Sequence, residues 1–273
     1  MSVIKVNNIT NLDGTSGPVI AGITTVSSTS HLVVPTGSTG QRVALAQDPF
    51  INNLVLALPF NSESVFSDLS PKNNSPAPAG IGTTTASLPF GVSGVTATSS
   101  GIVTFSKYYG TSAYFDGDGD YLKISGSSDL SFSTGDFTVE SWVYQTADNT
   151  YPTLFEIGNH LSSSGIVFIT RTSGNAKIYS GGFVGAASFS LGQWNHLAFV
   201  RSSGNLLVFV NGVLGSTTTF TNNLSDSSSA ASGWSVAVPN ANYYFNGYLQ
   251  DLRIYKGVAK YTSNFTPPTQ IAL

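Results

Sequence analysis

Apolar and polar residues alternate with a period of two along much of this chain. The clearest case is residues 137–144. Phe137, Val139, Ser141 and Val143 fall on one face, and Thr138, Glu140, Trp142 and Tyr144 on the other. That alternation predicts a strand with two different environments, and no helical stripe fits the same letters. Residues 54–60 (LVLALPF) form a short continuous apolar run, which predicts a buried strand. Further strands are predicted over 154–158, 166–171, 177–180, 194–201, 206–211, 234–238 and 248–255. With 112–124 on either side of a Gly/Asp knot, they make roughly a dozen strands and almost no helix.

Turn chemistry separates these runs. Residues 172–176 and Ser203-Gly204-Asn205 read as hairpin turns, and Asn211-Gly212 is the strongest such signal in the chain. Residues 61–80 read as a loop in which Pro71, Pro76 and Pro78 break ladder pairing. Residues 81–105 suggest one or two edge strands, 181–187 a flexible stretch, and 221–233 a Ser/Asn loop. Residues 257–265 have room for one helical turn before Pro267-Pro268. No fixed-period repeat is present, which disfavours a solenoid or a propeller.

Four runs carry a resemblance. SAYFDGDGDYLKI, DLSFSTGDFTVESWVY, GQWNHLAFVRSSGNLLVFVNGV and YFNGYLQDLRIYKGVAKYTSNFTPPT occur in that order. Together they resemble the laminin-G-like, concanavalin A-like jelly-roll domain, over roughly residues 53–270. The resemblance implies an all-β fold, a two-sheet antiparallel jelly-roll sandwich. The last run is similar to a variant common in bacteriophage virion proteins. Lectins, glycosidases and plain scaffolds share this fold, so the fold alone assigns no function.

Composition narrows the partners. Charged residues are 9% of the chain, against about a quarter in ordinary soluble proteins, so Ser, Thr, Asn and Gly must supply the polar surface. A net charge of −3 gives no basic footprint for nucleic acid. No run supplies the ~20 apolar residues of a membrane span. The absence of cysteine excludes disulfides and thiolate metal sites. The first residues, MSVIKVNNITNLDG, lack a signal-peptide core, so synthesis in a host cytoplasm without export is expected.

Residues 1–52 differ from the rest. Strand-like pieces at 3–9, 19–26 and 31–35 are broken by Asp13-Gly14, Gly17-Pro18 and residues 37–40. Lys5, Asp13, Arg42 and Asp48 are the only charged side chains, and a disordered tail would carry more charge and less Val and Ile. An extended arm that orders against other subunits is expected, with a reach of roughly 170 Å. The alternative is an arm that adds strands to its own sandwich. The arm also resembles a leader of cyanophage structural proteins. Residues 53–273 then form the sandwich domain.

Three groups of residues could carry chemistry. Asp116, Asp118 and Asp120 could offer hard oxygens to Ca²⁺. The run departs from an EF-hand loop at Tyr121 and Ser127, and a tight hairpin with Asp side chains capping turn amides explains it equally. Catalysis is not expected. Glu140 has no second acid on its strand, Glu156 and Asp251 lie elsewhere, and His31, His160 and His196 show no metal-ligand spacing. Glu140 with Arg253, and Asp251 with Arg253, read as structural contacts. Tyr151, Trp234, Tyr243 and Tyr244 lie in or beside loops, where aromatic rings can stack on sugar. Trp142, Trp194 and Phe199 read as core.

The function expected from these readings is a phage virion surface protein, a capsid decoration or a tail-fibre component. Its arm would contact other virion proteins, homo-oligomers are expected, and the sandwich would face host-surface glycans. A soluble glycan-binding lectin is the alternative, and a polysaccharide hydrolase the third reading. No cofactor is expected apart from the calcium alternative.

Overall fold

The computed structural model describes residues 48–60, 69–72, 77–80, 102–103, 112–117, 120–148, 150–159, 161–226, 229–232 and 243–268. The expectations placed on residues 1–47, 81–101 and 234–238, and on Asp118, Trp234, His31 and His160, lie outside them.

The strands begin with β1 (Leu54–Leu58), β2 (Ala77–Gly80), β3 (Ile102–Val103), β4 (Ser112–Asp116) and β5 (Asp120–Ser125). Next come β6 (Phe137–Gln145), β7 (Thr153–Ile157), β8 (Ile166–Thr172), β9 (Asn175–Tyr179) and β10 (Phe183–Ser188). The last are β11 (Trp194–Ser202), β12 (Asn205–Val210), β13 (Val213–Thr219), β14 (Ser229–Ser232) and β15 (Asn246–Lys256). They form two sheets. The first has the order β13-β12-β11-β6-β15-β4-β3, with β1 also pairing β15. The second has the order β10-β9-β8-β7-β14-β5-β2. Each pairing is antiparallel, so the fold is the expected two-sheet sandwich.

Hairpin register follows the turn residues. Three two-residue turns, Ser173-Gly174, Ser203-Gly204 and Asn211-Gly212, carry positive φ at both positions (49 and 82°, 50 and 78°, 51 and 77°). Turns of that sign match the right-handed twist of the flanking strands. They fix the pairs Thr172↔Asn175, Ser202↔Asn205 and Val210↔Val213. Pro78 sits on β2, at the end of its sheet, where a missing N–H is tolerated.

The main core lies between the sheets. Phe137, Val139, Val143, Phe199 and Ile254 of the first sheet meet Phe155, Phe168 and Ile178 of the second. The Phe168 ring joins the layers, 5.8 Å from Phe137 and 5.4 Å from Phe199, centroid to centroid. Each such buried ring contributes about 1.5–3 kcal/mol of transfer free energy.

The structure departs from the sequence reading in four described places. Residues 77–80, expected to lie in a loop where Pro78 breaks ladder pairing, hold β2, which pairs with β5 and sets Pro78 opposite Leu122. Residues 181–187, expected to be flexible, hold β10, because Phe183 and Val184 pair with Tyr179 and Ile178 across a tight turn. The stretch 221–233, expected to be a loop, contains β14, which bridges β5 and β7. Residues 257–268 form no helical turn but a strap across the outside of the first sheet. The strap's tethers explain this. Its backbone is spent on the sheet, with Gly257 N donating to Asp136 O (2.7 Å), Lys260 N to Thr138 Oγ1 (3.0 Å) and Phe265 N to Gly212 O (2.9 Å).

The strap explains why β6 is buried on both faces. Thr138, Glu140 and Trp142 project away from the main core, yet all are buried. A second apolar cluster of Ala198, Val200, Leu207 and Phe209 packs there under Ala259, Tyr261 and Phe265. The Tyr261 and Phe265 rings stack at 3.5 Å, and Trp142 Nε1 donates to Pro268 O at 3.1 Å. Asp48 is also part of this layer. It is buried and accepts from Tyr255 Oη (2.6 Å) and from Phe50 N (2.8 Å).

Candidate functional site

Strand β9 alternates cleanly. Ala176 and Ile178 enter the core, so Lys177 and Tyr179 project from the outer face of the second sheet. The β9–β10 register sets Phe183 opposite Tyr179 on that face, with ring centroids 4.9 Å apart. Phe183 is 48% exposed, a large apolar ring offered to solvent. The loop between β6 and β7 brings Tyr151 to within 5.1 Å of the Phe183 ring, and Tyr243 stands 5.1 Å from Tyr151 on its other side.

The backbone holds this arrangement. Tyr151 has φ of +51°, a left-handed conformation that costs a non-glycine residue about 1–3 kcal/mol. Its carbonyl accepts from Thr153 Oγ1 (3.2 Å), and the next carbonyl, of Pro152, accepts from Thr170 N (2.9 Å) and Thr170 Oγ1 (3.1 Å). Thr153 N donates to Tyr243 O at 3.1 Å, which ties the second tyrosine to the same loop. Burial, then the neighbouring Tyr151 and Tyr179, push the Tyr243 phenol up from its ordinary value, so its hydroxyl is a neutral donor and acceptor at pH 7.

Beside these rings lies an open cavity of about 440 Å³, lined by Tyr151 and Phe183 together with Asp148, Thr150, Thr172, Ser173 and Lys177. That size falls in the range of roughly 300–1,000 Å³ usual for small-ligand sites. Of the lining residues, Asp148 is paired with Arg171, which also donates from Nε to Phe189 O (2.8 Å). The cavity combines apolar ring faces with hydroxyls and a few charges.

Of the four aromatic residues expected to face sugar, the structure brings Tyr151 and Tyr243 together. Tyr244 is half-buried and follows at the entry to β15, and Trp234 lies outside the described residues. Phe183, Tyr179 and Lys177 were missed. The alternation of NAKIY already put Lys177 and Tyr179 on one polar face, but the strand reading stopped at Ser180 and left Phe183 in a flexible stretch.

A second polar cluster lies under the strap. Glu140 is 1% exposed, with Oε1 2.6 Å from Lys260 Nζ, and Oε2 accepting from Tyr261 Oη (2.8 Å) and lying 3.3 Å from His196 Nε2. Burial alone would raise its pKa, but Lys260, His196 and Arg253 together hold the carboxyl well below the usual range. Arg253 stands opposite Glu140 in the β6–β15 register, but its guanidinium turns to Asp251, at 2.7 and 2.9 Å. Of the two structural contacts read from the sequence, Asp251 with Arg253 is a direct ion pair, whereas Glu140 and Arg253 are register partners whose side chains pair elsewhere.

A family model described as the Concanavalin A-like lectin/glucanases superfamily matches residues 116–260. The chain belongs to this superfamily. The match spans β5 to the start of the strap and includes Tyr151, Phe183 and Tyr243. No curated protein sequence matches the chain. Among solved structures, domain 4 of AbnA, a GH43 extracellular arabinanase from Geobacillus stearothermophilus, in complex with arabinotriose, is similar with a TM-score of 0.58 and 22% identity. The likeness covers 76% of this chain and 94% of that one. The binding domain of Paraclostridial Mosquitocidal Protein 1 is similar with a TM-score of 0.56 and 15% identity, over 77% of this chain and 50% of that one. The binding domain of botulinum neurotoxin serotype D/C follows at 0.52 and 13%, over the same shares. The chain thus spans half the length of the toxin domains. At these identities the likenesses establish the fold alone.

Within this concanavalin A-like sandwich, Asp116 ends β4, and its carbonyl accepts from Asn246 Nδ2 at 2.8 Å. Asp118 and the side chain of Asp120 lie outside the described residues, so the calcium alternative falls there. Among the described residues, no group of three or more His, Asp or Glu side chains could hold a metal ion.

Proposed function

We propose that this protein is a non-catalytic glycan-binding sandwich displayed on a bacteriophage virion, held there by residues 1–52 and repeated as a homo-oligomer. The observation that carries glycan binding is the exposed Phe183 ring flanked by Tyr151 beside a hydroxyl-lined cavity. Sugar rings have apolar faces edged by hydroxyls. An aromatic wall takes the face, and Thr150, Thr172 and Ser173 bond the edge. An arabinanase domain with bound arabinotriose and two toxin binding domains share the fold, which supports a binding role.

The absence of catalysis is supported by the state of Glu140. Both its oxygens are engaged under the strap, and the residue is buried. Glycoside hydrolysis needs an accessible pair of carboxyl groups about 5–9.5 Å apart. The virion setting is supported by the resemblance of the leader and of the C-terminal run to phage structural proteins.

Three measurements test the reading. Polysaccharide should retain the protein on an affinity gel without releasing reducing ends; release that is lost in Glu140→Gln would favour the hydrolase. Antibody to this chain should label intact particles in micrographs. A truncation sparing residues 48–53 should stay folded but fail to enter particles. Unlabelled particles would remove the virion setting.

A further inference from the structure

We infer that the cavity beside Phe183 selects a glycan bearing an anionic sugar, a uronate, sialate or sulfate ester, and that Lys177 is the residue that reads the charge. This rests on the glycan-binding reading above. Two charged side chains line the cavity, Asp148 and Lys177, and Arg171 reaches Asp148 from outside the lining. Asp148 and Arg171 pair with each other, and Arg171 spends Nε on Phe189 O. Lys177 is left over. Among the described residues it donates no hydrogen bond and joins no ion pair; its Nζ lies over the Phe183 ring, 5.1 Å from the centroid. With Asp148 neutralised by Arg171, the Lys177 ammonium is the uncompensated charge of the cavity wall, in a chain whose net charge is −3.

That position is informative. An ammonium above an aromatic ring is held by the ring quadrupole while its remaining donors stay open. A sugar stacked on Phe183 would bring a substituent to Nζ along with its ring face. Lysine is a compact point charge with three rotatable donors, so it takes a carboxylate or a sulfate without the bidentate geometry that arginine demands. Thr172 and Ser173, at the β8–β9 turn, lie on the same wall and can bond the neighbouring hydroxyls.

An array of neutral, uronate-bearing, sialylated and sulfated oligosaccharides of matched length tests the assignment. Wild-type protein should bind one anionic class about tenfold more tightly than its neutral counterpart at low salt, the size of one charge-assisted hydrogen bond. The class preferred identifies the anion. Raising salt to 1 M should shrink that preference, since screening acts on the charge and not on stacking. Lys177→Met, which keeps an apolar stem against Phe183, should remove the preference, costing the anionic glycan about tenfold more than its neutral counterpart. Phe183→Ala should weaken both. Equal binding of charged and neutral glycans, or a preference that survives Lys177→Met, overturns the charge assignment while sparing the glycan-binding reading. Silence across the whole array overturns both.

Discussion

Lys260 Nζ lies 2.6 Å from Glu140 Oε1, although 120 positions separate the two residues in the chain. The contact clamps the strap to the middle of the first sheet. Lys260 also donates to Tyr255 Oη at 3.0 Å and lies 4.3 Å from the centre of that ring. Lys260→Met leaves Glu140 buried without its closest cation. That should destabilise the protein by about 3–5 kcal/mol, and Lys260→Met with Glu140→Gln should recover most of the loss. Denaturant unfolding of both variants checks this.

The same carboxylate sets an acid limb. Its folded pKa is depressed, so it stabilises the fold above the ordinary carboxylate range. That contribution is lost as pH falls through the folded value, because the unfolded state then binds the proton first. The stability gap between wild type and Glu140→Gln should therefore be widest above about pH 5 and narrow steadily below it. Unfolding midpoints measured from pH 7 down to 3 show the trend. A gap constant across that range would mean that Glu140 titrates alike in both states.

Gly212 is where the strap crosses the β12–β13 turn. A Cβ there would lie 1.9 Å from Phe265 O, at a φ of +77°. Gly212→Ala should displace the strap and lower stability by about 1–3 kcal/mol, through the clash and the left-handed backbone together. Trp142 fluorescence should report it, since its indole N–H bonds Pro268 O.

Tyr151 separates stability from binding. Glycine adopts φ of +51° freely, so Tyr151→Gly relieves local strain while deleting one ring of the site. The expected outcome is stability unchanged or raised by about 1 kcal/mol, with glycan affinity lost. A ring kept only for packing would give the opposite, a clear fall in unfolding midpoint.

How much of this was legible in the sequence follows from the range of each interaction. The two faces of β6 were readable because a period of two is local. That both faces are buried was not, since Thr138, Glu140 and Trp142 are covered by residues more than a hundred positions away. The Asn211-Gly212 hairpin was plain from two residues, but its second role under Phe265 was not. Residues 229–232 (SAAS) carry no alternation, so β14 exists through its neighbours β5 and β7. Half the candidate site was visible as loop tyrosines. Phe183 was hidden by Gly181-Gly182, which read as flexibility but serve as the turn that sets the ring opposite Tyr179.

The most direct test of the central claim is calorimetric titration of wild type and Phe183→Ala with the strongest oligosaccharide from the array. The account predicts saturable binding by wild type, an affinity at least about tenfold weaker in the variant, and an unchanged unfolding midpoint, as expected for an exposed anchor. Equal affinities in the two proteins would place recognition elsewhere and contradict the account.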